Sequence, residues 1–284
     1  MQPPFSPILI EIGPVTVYWY GFLIAIGILL GARIAAFAAQ EAGKDPETIW
    51  DMMIVVVLFA LVGARAYHVV SSPAGGMPGW DYYKENPLQA FAIWNGGLGI
   101  YGALIGGAIG AAVFCLRRGL NVLRWLDFLA MGVPIGQSIG RWGNYMNREL
   151  YGPPLGTLGA PTTLPWGLEI PPLYRIPPYT DLTQYPASTR FHPTFLYESL
   201  ATFALCLLLL WIAKRFKDRR LPGDMLFAYL TGYGIIRFFI EYLRPDAWMA
   251  GALAAAQLVG LAMIVIGIAG IVIQHVGTFK RSNV

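Results

Sequence analysis

The sequence predicts an all-α, polytopic membrane protein, and its composition and its long apolar runs are the observations that predict this fold class. Hydrophobic residues make up 56% of the 284 residues, charged residues only 13%, and the mean hydropathy is +0.54. One water-soluble core cannot hide that much apolar surface. We therefore expect residues 1–284 to form a single integral membrane domain.

Seven segments have about the length that a helix needs to cross roughly 30 Å of hydrocarbon. In chain order they are residues 16–38, 49–70, 97–116, 122–139, 193–213, 225–243 and 251–274. No Lys or Arg precedes the first segment, which is full length, so we interpret it as a span and not as a cleavable signal peptide. The four-residue spacing of Gly102, Gly106 and Gly110 in the third predicts close packing against another helix.

The basic residues predict which side of the membrane each loop faces. Arginines cluster at residues 117–124, five Lys and Arg fill residues 214–220, and two more lie at 280–281. Short loops rich in Lys and Arg stay in the cytoplasm, so the N-terminus is expected outside and the C-terminus inside. The net charge of +4 requires no nucleic-acid partner to explain it, because anionic membrane lipids account for basic loops, and none is expected.

Residues 151–192 form the longest connection on the outer side. They are rich in Pro, Gly and Thr, and they also carry the large apolar residues Trp166, Leu168, Ile170, Tyr174 and Tyr179. This mixture predicts a small folded cap of turns and short strands on the outer membrane surface, covering a site. An ordinary connector between two spans is the alternative interpretation.

The fourth span ends in a polar segment, residues 140–149, that contains two arginines, two asparagines and a glutamate. Pro134 interrupts the hydrogen-bond ladder of this span, so we expect a kinked helix that frays at Arg141. Asn144 and Asn147 would then supply donors to an oxyanion or a polar head group. The arginine fork fits phosphate in two-point fashion, although a lone arginine at a span end is also explained as a snorkelling anchor.

The sixth span carries a polar face within an apolar helix. Spacings of four, four and three place Tyr233, Arg237, Glu241 and Arg244 on this face. Together with Arg141, three arginines against one nearby glutamate predict a positive excess that a phosphate-bearing ligand would neutralise. A structural ion pair that locks two helices together is the alternative.

Residues 140–152 read GRWGNYMNRELYG and resemble the long signature of the bacterial prolipoprotein diacylglyceryl transferase family. Shorter matches lie at Trp19-Tyr20-Gly21, Gly63-Ala64-Arg65, Gly96-Gly97-Leu98, His192-Pro193, Leu196-Tyr197-Glu198 and residues 233–245. The family has seven spans with the N-terminus outside, which agrees with the topology expected from the basic loops.

The resemblance implies a reaction in the bacterial cytoplasmic (inner) membrane, at an active site that faces outwards. Such enzymes move the diacylglyceryl group of phosphatidylglycerol to the lipobox cysteine of a preprolipoprotein signal peptide, forming a thioether and releasing glycerol 1-phosphate. No metal or cofactor is expected. Two alternatives are a non-catalytic protein that binds or transports an anionic lipid or solute, and an inactive paralogue of the family.

The resemblance and the charge pattern together assign roles to ten positions. Arg141 and Arg237 are expected to hold the phosphate, and Glu241 and Arg244 to form the ion pair that orients them. The residues expected to position the lipid head group are Tyr20, Asn144, Asn147, Glu149 and Tyr233.

Tyr101 is the tenth position, and it departs from the family pattern. The best-known members have a histidine there, proposed as the base, whereas a phenol with a reference pKa of about 10 is a poor base at neutral pH. We therefore expect the arginines to acidify the incoming thiol, with His68 or Glu149 as alternative bases.

Overall fold

The computed structural model describes residues 1–3, 6–13, 15–71, 79–156 and 164–281. These residues are mostly helical, which confirms the predicted all-α class, and three small two-stranded sheets accompany the helices. The chain divides into two compact units, Met1–Ile34 with Leu129–Val284, and Ala35–Phe128. They are called unit 1 and unit 2 below.

Eight α-helices lie in the described part of the chain. They are α1 (Trp19–Glu41), α2 (Glu47–Val70), α3 (Trp80–Glu85), α4 (Ile100–Arg117), α5 (Val122–Asn147), α6 (Thr194–Arg215), α7 (Asp224–Glu241) and α8 (Ala255–Arg281). Among the described residues, five of these helices, namely α1, α2, α4, α6 and α8, are long and apolar enough to cross a membrane. The protein is therefore a multi-pass membrane protein.

Helices α5 and α7 cover the other two predicted spans but are not among the five. The 18 residues of α7 include three charged side chains, Asp224, Arg237 and Glu241, and α5 contains Arg124, Asp127 and Arg141. Polar residues in a span are costly unless they pair or bind something. Seven spans with an outer N-terminus thus stay a prediction at this point.

Unit 2 is built on the close packing of α2 against α4. Gly102 and Gly106 of α4 lie against the backbone of Gly63 and Phe59 in α2, so a side chain at either glycine would clash with that backbone. Small residues let helix backbones approach in this way. The packing role predicted for the glycines of this span is confirmed.

In unit 1, α5 packs against α1 through Gly132 and Gly136, which lie against Gly31 and Gly27. Helix α5 continues through Pro134 and past Arg141 to Asn147, so the expectation that it frays at Arg141 is wrong. A proline removes one hydrogen bond of the ladder, and here the helix continues while its glycines pack closely on a neighbouring helix.

The strands are short and pair with their neighbours in three antiparallel sheets. Strand β1 (Ile8–Ile12) pairs with β2 (Val15–Tyr18), β3 (Leu168–Glu169) with β4 (Arg190–Phe191), and β5 (Met249–Ala250) with β6 (Leu253–Ala254). The second pair belongs to the segment 151–192, whose Leu168, Ile170 and Tyr179 form a hydrophobic cluster together with Phe195 of α6. Turns and short strands in this segment are as predicted, while its outward position as a cap stays a prediction.

Candidate active site

The signature segment ends α5 and turns sharply around Glu149. Arg148 and Leu150, on either side of it, have φ angles of 58° and 55°, a left-handed conformation that is uncommon for residues with a side chain. The amide groups of Asn144 and Asn147 donate hydrogen bonds to Oε1 of Glu149, at 2.8 and 3.3 Å. The predicted donors are thus present, but in this structure they hold a carboxylate of the protein.

Several contacts stabilise this turn. The guanidinium of Arg148 lies 4.3 Å from the centre of the Tyr174 ring, and the hydroxyl of Thr194 donates to the carbonyl of Leu150. Gly152 donates its N–H to the carbonyl of His192. Burial lowers the pKa of His192, so this imidazole is neutral at physiological pH and adds no positive charge. Left-handed residues are kept where the surroundings fix them, often at functional sites.

Arg141 forms an ion pair with a carboxylate from another helix. Its Nη2 lies 2.7 Å from Oε1 of Glu198 in α6, and its Nη1 donates to Oδ1 of Asn144 at 3.2 Å. The hydroxyl of Tyr233 in α7 donates to the same Glu198 oxygen at 3.3 Å, and it also interacts with Arg141. Side chains of α5, α6 and α7 therefore meet at Glu198, which is only 3% exposed.

The two other arginines have carboxylate partners of their own. Nη2 of Arg237 lies 2.6 Å from Oε2 of Glu241, whereas Nη2 of Arg244 lies 2.8 Å from Oδ2 of Asp246. The predicted ion pair between Glu241 and Arg244 is therefore wrong. Helix α7 ends at Glu241, so Arg244 lies in the following turn and no longer follows the helical spacing.

The positive excess predicted from the sequence is also wrong. Among the described residues, each of the three arginines of the site pairs with a carboxylate of its own, namely Glu198, Glu241 and Asp246. Nη1 of Arg237 is nevertheless buried without a hydrogen-bond partner among those residues. A phosphate would thus have to compete with carboxylates for most of the arginine donors.

A small cavity lies at this network within unit 1. Its wall includes Arg141, Asn144, Glu198 and Arg244 beside apolar side chains. Arg237 interacts with Tyr233, which connects it to the same network. The remaining cavity residues are Leu150, Thr194, Phe195 and Ile240.

Tyr20, at the start of α1, belongs to this network too. Its ring lies against Gly143, where any side chain would clash with it. Tyr20 is also close enough to Glu149 and Arg141 to interact with both electrostatically. Unit 1 thus brings together nine of the ten predicted positions, namely Tyr20, Arg141, Asn144, Asn147, Glu149, Tyr233, Arg237, Glu241 and Arg244.

Tyr101, the tenth position, lies in unit 2 at the first turn of α4. It is 49% exposed, and its ring contacts the Tyr67 ring with 5.8 Å between the centres. In the same unit, the ring of His68 lies directly against Gly97. The buried Arg65 donates to the carbonyls of Gly96 and Gly97, at 2.8 and 3.0 Å, and thereby fixes the chain that leads to Tyr101.

Sequence reasoning missed two residues of the site. Glu198 belonged to a short stretch that resembles the family, but it was given no role, and Asp246 was not singled out. One signal was available for Glu198: it is an acidic residue near the outer end of a predicted span, at the level expected for Arg141 and Arg237.

Comparison with known proteins connects this geometry to a family. A model of the prolipoprotein diacylglyceryl transferase family matches residues 7–273, which is nearly the whole chain and includes every residue of the site. The chain belongs to the prolipoprotein diacylglyceryl transferase family. The resemblance read from residues 140–152 is thereby confirmed.

Curated members of this family are similar over nearly their full length. A phosphatidylglycerol–prolipoprotein diacylglyceryl transferase of Chloroflexus aggregans is 39% identical over 94% of this chain and 89% of its own length. The enzyme of the same name from Synechococcus elongatus is 40% identical over 94% of this chain and 86% of its own. The enzyme of this name from Gloeobacter violaceus is 40% identical over 94% of this chain and 91% of its own length.

Proposed function

We propose that this protein transfers the diacylglyceryl group of phosphatidylglycerol to the lipobox cysteine of a preprolipoprotein. The observation that carries the proposal is the cavity wall, where Arg141 and Arg244 meet Asn144 of the family signature. Arginine offers phosphate a charged, two-point fit, and fixed positive charge stabilises a leaving anion. The names of the curated relatives state the same substrates.

In the proposed reaction the cysteine sulfur attacks the glycerol carbon that carries the phosphate ester. A C–S bond forms, the C–O bond breaks, and its electron pair leaves on the phosphate oxygen of glycerol 1-phosphate. Arg141 holds that phosphate from the cavity wall, and Arg237, with its unpaired Nη1, adds positive charge beside Tyr233. The residues proposed to position the glycerol head group are Tyr20, Asn144, Asn147, Glu149 and Tyr233.

We further propose seven spans, which include α5 and α7, in the bacterial cytoplasmic membrane with the N-terminus outside. The order of the helices supports this topology. Arg141 lies near the end of α5, Glu198 near the start of α6, and Arg237 near the end of α7, so alternating directions bring all three to one side. Basic loops at the opposite ends make this side the outer one, with segment 151–192 as its cap.

The second substrate is a signal peptide, which is itself an apolar helix. A helix of that kind partitions into the bilayer, so we propose that it reaches the site sideways from the membrane. The thiol would then meet the lipid phosphate in the cavity at the outer end of α5.

Incubation of the purified protein with labelled phosphatidylglycerol and a lipobox peptide tests the proposal. Lipidated peptide and glycerol 1-phosphate should form in equal amounts, and a peptide with serine in place of the cysteine should give neither. Lipid binding without either product would contradict the proposal. That result would favour a lipid-binding or transport protein, or an inactive paralogue.

A further inference from the structure

The carboxylate of Glu198 occupies an unusual position for a residue whose only role is to form a structural ion pair. It lies in the second turn of α6, it is almost fully buried, and it lines the cavity. A buried carboxylate that lines a cavity lies beside the space that a ligand would enter, whereas an ordinary structural pair is enclosed by packed side chains.

Two helices, α5 and α7, contribute charged and titratable groups that face Glu198. Arg141 of α5 pairs with it, Tyr233 of α7 donates to it, and Tyr229, one turn away on α7, interacts with it electrostatically. Arg244, which follows α7, lines the same cavity. Arg141 is the only one of these groups within ion-pair distance of Glu198 among the described residues.

A lipid phosphate in this cavity competes with Glu198 for Arg141. Both groups are oxygen anions that fit the guanidinium fork, and Arg244, the other arginine of the cavity wall, already pairs with Asp246. Two anions in a site with little water repel each other, and a carboxylate that loses its cation binds a proton more readily. Lipid binding therefore prepares Glu198 to take up a proton.

We propose that Glu198 accepts the thiol proton of the incoming cysteine after the lipid phosphate has displaced the Glu198 carboxylate from Arg141. This inference rests on the proposed transferase function. The S–H proton moves to the Glu198 carboxylate while the sulfur electron pair forms the C–S bond and the C–O electron pair leaves on phosphate. Glycerol 1-phosphate then takes the proton from Glu198, and the ion pair with Arg141 forms again as the product departs.

This assignment gives the chain a base although Tyr101 stands where the family resemblance implies a histidine. Glu149, one alternative from the sequence, already accepts hydrogen bonds from Asn144 and Asn147 through one oxygen. Glu198 differs because its partner is the same arginine that the substrate requires. Release of the Glu198 carboxylate from Arg141 is thus coupled to binding of the lipid phosphate.

The substitution Glu198→Gln tests the proposal, since the amide keeps the shape of the side chain and removes the base. Transfer near neutral pH should fall by at least about 100-fold, the usual contribution of a general base. Binding of phosphatidylglycerol should be equal or tighter, because the amide does not compete for Arg141. Glu169→Gln, at a half-exposed pair with Arg190, is the matched control and should transfer at the wild-type rate.

The pH dependence separates a base from a structural role. Transfer by the Glu198→Gln variant should rise about tenfold per pH unit up to about pH 8.5, where a free thiol ionises by itself, whereas the wild-type rate should change little. Glu198→Asp should keep a level pH profile at a reduced rate, and it serves as the test if the glutamine variant does not fold.

Three results would be decisive against the proposal. They are a wild-type rate for Glu198→Gln, a low rate with the same pH profile as the wild type, and loss of lipid binding together with activity. A wild-type protein that yields no product would instead contradict the proposed function.

Discussion

Arg141 and Arg175 are both arginines with several hydrogen-bonding partners, but the kinds of partner differ. Arg175, in segment 151–192, donates to the backbone carbonyls of Ile170, Tyr185, Pro186 and Ala187, at 2.7 to 3.1 Å. Arg65 in unit 2 likewise donates to four backbone carbonyls. Arg141 instead pairs with the side chains of Glu198 and Asn144 and faces a cavity.

This difference separates an arginine that fixes a fold from one that can bind a ligand. Carbonyl partners are attached to the backbone, so withdrawing Arg175 from them would leave buried acceptors unsatisfied. A side-chain carboxylate can move aside when another anion takes its place. Burial lowers the pKa of Arg175, yet a guanidinium stays charged at physiological pH and the carbonyls are still satisfied.

The largest expected effect on activity is that of Arg141→Lys. Lysine keeps the charge but loses the two-point fit, so transfer should fall by at least about 100-fold while the fold is retained. The labelled-lipid assay measures transfer, and the circular dichroism spectrum shows whether the fold is retained. Arg118→Lys is the matched control, because Arg118 pairs with Asp51 where both side chains are half exposed. Comparable rates for the two variants would remove Arg141 from the phosphate site.

Arg175→Lys should show the opposite pattern. Lysine cannot reach four carbonyls at once, so the free energy of unfolding should fall by about 2–4 kcal/mol. Thermal unfolding in detergent measures this loss. At temperatures where the variant is folded, its transfer rate should be close to that of the wild type. A variant of full stability without activity would show that the distinction between the two arginines is false.

The loss of transfer expected on replacing each signature asparagine follows the number of contacts that the asparagine makes. Asn144 is 4% exposed and bonds both Arg141 and Glu149, so Asn144→Ala should lower transfer by about 10- to 100-fold. Asn147→Ala removes a single 3.3 Å bond to Glu149, and about a threefold loss is expected. Initial rates at saturating lipid test the ranking, which an equal loss in both variants would contradict.

The smallest effect is expected for Tyr101→Phe. The hydroxyl has no assigned role once Glu198 takes the thiol proton, and the ring contact with Tyr67 is kept by phenylalanine. Transfer should stay within about threefold of the wild type, as for loss of one weak hydrogen bond. Complete loss of transfer by a correctly folded variant would assign the chemistry to Tyr101.

Much of the fold and the family could be predicted from the sequence. Apolar runs predict the helices because a span must satisfy its backbone internally, and helical spacing placed Tyr233, Arg237 and Glu241 on one face. The signature around Arg141 predicted the family, which the comparisons confirm. Each of these signals is local in the chain or repeats with a fixed period.

The pairing of the charges could not be predicted in the same way. Glu198 meets Arg141 although 57 residues separate them, and no periodicity connects two helices. Spacing allowed Glu241 to pair with either Arg237 or Arg244, and only the end of α7 at Glu241 decides between them. The missed carboxylates are the reason that the predicted positive excess is absent.

Binding of glycerol 1-phosphate, the proposed product, tests most directly whether phosphate replaces Glu198 at Arg141. Calorimetry on the purified protein in detergent should give tighter binding for Glu198→Gln than for the wild type, and no measurable binding for Arg141→Ala. Unchanged affinity in the Arg141→Ala variant, with the Glu198→Gln variant equal to the wild type, would contradict the exchange of partners.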